Sequence, residues 1–180
     1  MTETSPIKGM QHLALEVADT DRAIAFYRDY IGLRLTERHA ASEVAAIPVE
    51  LIFMRVGGRH HDFVLVHNPN KTYRERTPDD ATHGPAYFHH FAFECENRDA
   101  WLAMMDKANT MDIEIIRGPV IHSPWQKGGE GSWGENESFY VLDPDGHRIE
   151  IFCDMATIAD DGVFVTHNGE RIEAAKVDEL

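Results

Sequence analysis

Two segments of this sequence carry histidine at matching places, followed by the same pattern of small and acidic residues. HLALEVADTDRAIAFYRD begins at His12, and HFAFECENRDAWLAMMDK begins at His90, 78 residues later. The segments align without gaps and share five identical residues. Imidazole nitrogens are common metal ligands, and in each segment the histidine lies on the strand face opposite the bulky apolar residues. His12 and His90 are therefore predicted to ligate one metal ion.

Glu150 lies within an apolar segment, HRIEIFC, between Ile149 and Ile151. A buried carboxylate needs a cation or a hydrogen-bonding partner, because burial without one costs several kcal/mol. The alternative is an edge strand on which Glu150 and Arg148 face water. With His12 and His90, Glu150 would complete a set of two histidines and one carboxylate. That set, with open coordination positions, is typical of non-haem Fe(II) sites.

The elements that must position these residues repeat in the same order in both halves of the chain. The apolar periodicity predicts two βαβββ modules, each too small to close a core alone, that form a cupped mixed sheet around the metal site. We expect α+β architecture, with one domain over residues 1–155, modules over about 8–67 and 86–155, and a tail over 156–180. Predicted strands cover 11–17, 33–38, 49–56 and 61–66, then 87–94, 113–117, 138–142 and 147–153; predicted helices cover 19–30 and 98–109.

Turn and cap residues support these boundaries. Asp19 is a predicted N-cap and Gly32 a predicted C-cap of the first helix. Gly57-Gly58 is predicted to form a hairpin turn, and residues 143–146 (DPDG) a tight turn. Asn168-Gly169 predicts a hairpin in the tail, which could cap the cavity or pair with another subunit.

Composition excludes several classes of protein. The 180 residues include 17 Lys and Arg against 31 Asp and Glu, a net charge of −14 that repels nucleic acids and anionic membranes. No apolar run is long enough to span a membrane, and no signal peptide is present, so we expect a cytoplasmic protein. Two cysteines, Cys95 and Cys153, are too few for a disulfide framework and are expected to be buried thiols.

Four segments resemble one family in order: RHHDFVLV, HHFAFE, RGP followed by a histidine, and FYVLDPDGHRIEIF. The last of these is similar to the vicinal-oxygen-chelate superfamily, and the combination resembles its type I extradiol catechol dioxygenases, over roughly residues 8–155. The resemblance is to the single-domain members. It implies one Fe(II), or occasionally Mn(II), held by His12, His90 and Glu150. It also implies cleavage of a small aromatic diol by O₂.

The same resemblance implies roles for residues around the metal. His61 matches the acid–base histidine of the family, and Tyr140 and His122 match hydrogen-bond donors beside the metal. Strand alternation instead places His60 on the face of Val64, so His60 is the alternative to His61 as the acid–base residue.

Arg117 is a candidate substrate-binding residue. It is predicted to share an apolar strand face with Ile113 and Ile115, where a buried guanidinium would need an anion such as a substrate carboxylate. A surface arginine, or pairing with Glu94 or Glu114, is the alternative.

Two other functions remain open. In the repeat, Val64 corresponds to Glu150, whereas related glyoxalase-like isomerases and lyases usually have a fourth ligand at that position. Because valine cannot bind a metal, the sequence favours the dioxygenase over such an isomerase or lyase. A metal-free small-molecule-binding module of the drug-resistance kind would retain no iron. We expect a homo-oligomer.

Overall fold

The computed structural model describes residues 10–43, 48–75, 89–123, 125–130 and 134–172. The chain divides into two compact units, residues 1–76 and 77–180. In the part of the chain that the structure describes, no helix is both long enough and apolar enough to cross a membrane.

The first unit contains a four-stranded mixed sheet and one helical segment. Its strands lie in the order β1-β4-β3-β2, with β1 parallel to β4 and the other neighbours antiparallel. The elements in chain order are β1 (Leu13–Glu16), α1 (Thr20–Ala25), a π-helical turn (Phe26–Ile31), β2 (Arg34–His39), β3 (Glu50–Arg55) and β4 (Phe63–His67).

The caps of the helical segment are the predicted ones. Asp19 accepts a hydrogen bond from the backbone N–H of Arg22 at 2.9 Å, and Gly32 ends the segment with φ of 92°. The segment differs from the prediction in that its second half is π-helical. Apolar side chains from the helix and the sheet pack together, with the rings of Tyr27 and Phe63 4.6 Å apart. The unit's fully buried large side chains are Val17, Tyr27, Tyr30, Ile52, Met54 and Leu65.

The second unit repeats this arrangement. Its strands lie in the order β5-β8-β7-β6, again with one parallel pair, β5 and β8. The elements are β5 (Phe91–Glu94), α2 (Arg98–Thr110), β6 (Ile115–His122), β7 (Asn136–Leu142) and β8 (Arg148–Cys153). The predicted α+β fold with two βαβββ modules is confirmed.

Cys95 and Cys153 are free thiols. The pKa of each thiol is raised, and burial is the largest cause.

Some boundaries differ from the prediction. The predicted hairpin between β3 and β4 is present, but its connection is longer than a turn at Gly57-Gly58. The two strands are joined by a loop over 56–62, which Asp62 closes by accepting from the backbone N–H of Val56 at 2.9 Å. The loop leaves His61 outside the strand in which it was predicted. His90 likewise precedes its strand, and residues 87 and 88 of that prediction lie outside the described residues.

The strand β6 begins two residues later and extends further than predicted, because Gly118 allows a bulge within it. Gly118 has φ of 101°, and a Cβ there would lie 2.8 Å from the carbonyl oxygen of Ser138. This close approach brings β6 against β7.

The C-terminal segment forms a small antiparallel sheet, β9 (Thr157–Ile158), β10 (Phe164–Val165) and β11 (Arg171–Ile172). The predicted hairpin joins β10 and β11, with Gly169 at φ of 83°. Residues 173–180 of the predicted tail lie outside the described residues.

Candidate metal centre

Glu150 projects from one face of β8, and the opposite face of that strand is buried under α2. Ile149 and Ile151 are almost wholly buried, and the indole N–H of Trp101 in α2 donates to the carbonyl oxygen of Ile151 at 2.9 Å. The Glu150 side chain is 12% exposed. The sheet therefore holds a largely buried carboxylate on the face that α2 does not cover.

His90 lies beside this carboxylate. Its Nε2 is 3.1 Å from Oε2 of Glu150, because β5 and β8 are parallel neighbours with Ala92 opposite Glu150. Two ligands that bind one ion at about 2.1 Å and at right angles are separated by about 3 Å. Burial lowers the pKa of His90 by more than the charge of Glu150 raises it, which favours the neutral, metal-binding imidazole. An imidazole nitrogen and a carboxylate oxygen at this spacing fit a first-row transition metal such as Fe(II).

Tyr140 and His122 complete the group of polar side chains around Glu150. Tyr140 lies opposite Glu150 in the register of β7 and β8. Burial, followed by the negative charge of Glu150, raises the pKa of Tyr140 to about 12. His122, at the end of β6, is buried, with its Nε2 3.3 Å from the Tyr140 hydroxyl and 3.7 Å from Oε1 of Glu150. The structure thus brings together four of the seven predicted site residues.

Two further polar residues contact this group and were missed from the sequence. Ser138 is fully buried, and its Oγ lies 2.6 Å from Oε1 of Glu150 and 2.6 Å from Oδ1 of Asn136. Asn136, Ser138 and Tyr140 alternate along β7, so this polar face was visible as a pattern. Its contact with Glu150 depends on the register between β7 and β8.

Arg117 differs from its prediction. The expectation of a buried guanidinium is wrong: the side chain is 40% exposed and lies 3.4 Å from the carboxylate of Glu130. Ile113 precedes β6, and register shifts on both sides of Arg117 interrupt the predicted common face. The guanidinium still lies 5.6 Å from the centre of the Tyr140 ring, and Arg148 lies 4.5 Å from the same ring.

His12 and His61 meet within the first unit. Their ring centres are 5.1 Å apart, and the ring of Phe53 lies 4.9 Å from that of His61. The amide of Gln11 donates to the carbonyl oxygen of His61 at 2.6 Å and its oxygen contacts Nδ1 of His12. The structure therefore places the predicted acid–base histidine beside one predicted metal ligand.

His60 has different surroundings. Its side chain is about half exposed, and its Nε2 lies 3.4 Å from the carboxylate of Glu37. Both His60 and His61 precede β4, so strand alternation does not discriminate between them. The contact with His12 favours His61.

The two units differ at one equivalent register position. Ala14 of β1 is opposite Val64 of β4, and Ala92 of β5 is opposite Glu150 of β8. The correspondence of Val64 with Glu150, inferred from sequence, therefore holds in the strand register. Val64 is buried and offers no ligand atom.

The complete three-ligand set stays a prediction. His90 and Glu150 meet within the second unit, whereas His12 belongs to the first. Within residues 10–43, 48–75, 89–123, 125–130 and 134–172, no three His, Cys, Asp or Glu side chains are grouped so that they could hold one ion.

Known proteins with similar sequences include dioxygenases. The 3-methylcatechol 2,3-dioxygenase of Pseudomonas putida is 29% identical over 143 residues, which cover 79% of this chain and 41% of that protein. The biphenyl-2,3-diol 1,2-dioxygenase of Metapseudomonas furukawaii is 24% identical over 161 residues, covering 89% of this chain and 45% of that protein. The chain spans less than half the length of these two relatives.

Solved structures with the same fold include proteins with other activities. A glyoxylase/bleomycin resistance protein/dioxygenase domain from Frankia sp. EAN1pec has a TM-score of 0.59 at 14% identity, covering 82% of this chain and 98% of that one. Glyoxalase I of Leishmania major has a TM-score of 0.54 at 20% identity, covering 82% and 87%. These likenesses show the fold alone.

The family model of the glyoxalase/bleomycin resistance protein/dioxygenase superfamily matches residues 9–151. That range includes the first βαβββ module, the second up to residue 151 within β8, and all seven predicted site residues. The chain therefore belongs to this superfamily.

Proposed function

We propose that this protein is an Fe(II)-dependent extradiol dioxygenase that cleaves a catechol-type ring with O₂. The observation that carries the proposal is the 3.1 Å approach of Nε2 of His90 to Oε2 of Glu150 on the uncovered face of the second sheet. The dioxygenase relatives support it, as does the resemblance in four segments. Manganese would suit the same ligand atoms.

His12 is the proposed third ligand. When bound, Fe(II) lowers the pKa of the catechol and brings substrate and O₂ together. Two imidazoles and one carboxylate leave coordination positions for both reactants. Val64 supports this arrangement, because the first sheet has an apolar residue at the position where the second sheet has its carboxylate.

The surrounding side chains would handle protons. His61 would accept a proton from a catechol hydroxyl, since a neutral imidazole has one ring nitrogen that can accept a proton. Tyr140 stays protonated at neutral pH, because its pKa is raised to about 12, so its hydroxyl can donate a hydrogen bond. His122, which lies 3.3 Å from that hydroxyl, would orient it.

Oxygen uptake tests the proposal. Protein purified without oxygen and loaded with Fe(II) should consume about one O₂ per catechol cleaved and form a yellow ring-cleavage product. Metal-free protein and Zn(II)-loaded protein are the controls and should consume none. Turnover of a hemithioacetal without O₂ would instead assign the isomerase or lyase function, and failure to bind any metal would assign the metal-free binding module.

A further inference from the structure

One hydroxyl group lies between two acceptors in the second sheet. Oγ of Ser138 is 2.6 Å from Oε1 of Glu150 and 2.6 Å from Oδ1 of Asn136. Ser138 and Asn136 are almost completely buried. A serine hydroxyl has one hydrogen, so it can donate to only one of these oxygens. The other short contact would then join two lone pairs.

Reversing the Asn136 amide resolves this conflict. The nitrogen and oxygen of an asparagine amide are assigned from their hydrogen-bond partners. With Nδ2 facing Ser138, Asn136 donates to Oγ, and Oγ–H donates to Oε1 of Glu150. Each short contact then has one donor and one acceptor. The result is a buried chain of hydrogen bonds from Asn136 through Ser138 to Glu150.

The sheet register aligns this chain with the carboxylate. Tyr140 is directly opposite Glu150, and Ser138 is opposite Phe152. Ser138 is thus the diagonal neighbour of Glu150 on the same face, within reach of its side chain. With Oε1 held by Ser138, Oε2 is directed at Nε2 of His90, 3.1 Å away.

We propose that Ser138, oriented by Asn136, is a positioning residue that fixes the Glu150 carboxylate with Oε2 available to the metal. This inference rests on the proposed metal site. Partners that orient a ligand typically contribute 10- to 100-fold to metal affinity. The contribution arises because Ser138 already holds the carboxylate before the metal binds, so little rotational freedom is lost on binding.

Anaerobic titration with Co(II), followed by its visible absorption, measures the effect without any turnover. We expect Ser138→Ala to bind Co(II) roughly 10- to 100-fold more weakly than the wild type. The matched control is Thr20→Val, which removes a hydroxyl that donates to Glu50 at 3.0 Å in the first unit. Its Co(II) affinity should stay within twofold of the wild type.

A double-mutant cycle tests the direction of the hydrogen bonds. An ionised carboxylate cannot donate, so in Asn136→Asp, at a pH where the new group is ionised, the Ser138 hydroxyl should turn away from Glu150 and towards it. The added charge attracts Co(II) in any background. In the Ser138→Ala background only that charge effect remains. The difference between the two backgrounds therefore measures how much the hydrogen bond from Ser138 to Glu150 contributes to Co(II) affinity. The effect of Asn136→Asp on Co(II) affinity is measured once with Ser138 present and once in the Ser138→Ala background. With Ser138 present, we expect the result to be less favourable to Co(II) binding by about fivefold or more.

The outcomes separate this inference from the proposed function. A wild type that binds neither Co(II) nor Fe(II) overturns both. If the wild type binds Co(II) and Ser138→Ala binds it equally well, the positioning role of Ser138 alone is overturned. If the double-mutant cycle shows no coupling, the role of Asn136 is overturned. Circular dichroism checks folding. If Ser138→Ala does not fold, Ser138→Cys, whose thiol is a weak donor, should lose affinity in the same direction.

Discussion

Nε2 of His90 and Oε2 of Glu150 lie 3.1 Å apart at the uncovered face of the second sheet, on elements that the strand register holds together. His90 lies one residue before β5 and Glu150 lies within β8, so the pairing of these two strands brings together two residues that are distant in sequence. In the proposed metal site this pair would supply two of the three ligands, so its loss should be measurable as lost metal binding without substrate.

Alanine at His12, His90 or Glu150 should abolish stoichiometric iron and oxygen uptake, because each change removes one proposed ligand. Iron content after anaerobic loading is the measurement. Glu137→Gln is the control, since Glu137 belongs to the same sheet but pairs with Arg98 of α2. Full iron occupancy in Glu150→Ala would remove the carboxylate from the ligand set.

His61→Phe should retain iron and slow turnover roughly 100- to 10,000-fold, the usual loss for a general acid–base group. His60→Phe should have a smaller effect, because His60 is half exposed and contacts Glu37. Iron content and kcat on the same catechol compare the two variants. The reverse order of effects would assign the proton transfer to His60.

Arg117→Leu should raise KM for a carboxylated catechol at least tenfold, about 1.4 kcal/mol, if this guanidinium binds the substrate anion. KM for unsubstituted catechol should hardly change. Glu130→Gln is the informative partner variant, because it releases Arg117 from its ion pair and should lower KM for the carboxylated substrate. Equal losses on both substrates in Arg117→Leu would indicate a structural role.

The stability of the protein should depend on pH through His147. Burial is the largest single effect on the pKa of His147 and lowers it. The 2.8 Å hydrogen bond to Asp143 and the negative charges of Asp143 and Asp145 together outweigh burial, so the pKa is raised. The folded state therefore binds this proton more tightly than the unfolded state. The stabilisation is full below the unfolded pKa of about 6.5 and is lost as pH rises through the folded pKa.

Denaturant unfolding of wild type and His147→Gln between pH 5.5 and 8.5 measures this contribution. The difference in unfolding free energy between the two proteins should shrink as pH rises. A difference that is constant over this range would mean that the His147 proton does not stabilise the fold.

Gly118→Ala should destabilise the fold by about 1–3 kcal/mol, because the added Cβ meets the backbone of β7 and the residue has a positive φ. Thermal unfolding measures the loss. Gly57→Ala is the matched control, since a Cβ there has nothing within 4 Å and the residue has no positive φ. Equal melting temperatures for the two variants would contradict the close approach.

The repeat made most of the fold predictable. Matching strand–helix order in two segments specifies two βαβββ modules, and Asp19, Gly32 and the residues 143–146 set their boundaries. Alternation predicts the face on which Glu150 lies, because the opposite face of β8 packs against α2. His90 lies one residue before β5 and still meets Glu150.

What the sequence did not predict depends on contacts between distant segments. The apolar run over residues 63–66 predicts a strand that begins at His61, yet Asp62 closes a loop there instead. The exposure of Arg117 follows from register shifts at Gly118, which no local pattern specifies. The contact of Ser138 with Glu150 is diagonal across two strands and becomes visible only once their register is known.

Val64 in the first sheet and Glu150 in the second occupy equivalent positions. Mutation can therefore act differently on the two sheets. A buried valine can be optimised for packing, whereas a carboxylate at that position sacrifices stability for ligand binding. In the first module only this register position is released for packing, because the proposed site still needs His12 and His61 from the same module. One substitution, Val64→Glu, would add a second carboxylate to the three proposed ligands and make four, so the fold could acquire a different reaction without a change of backbone.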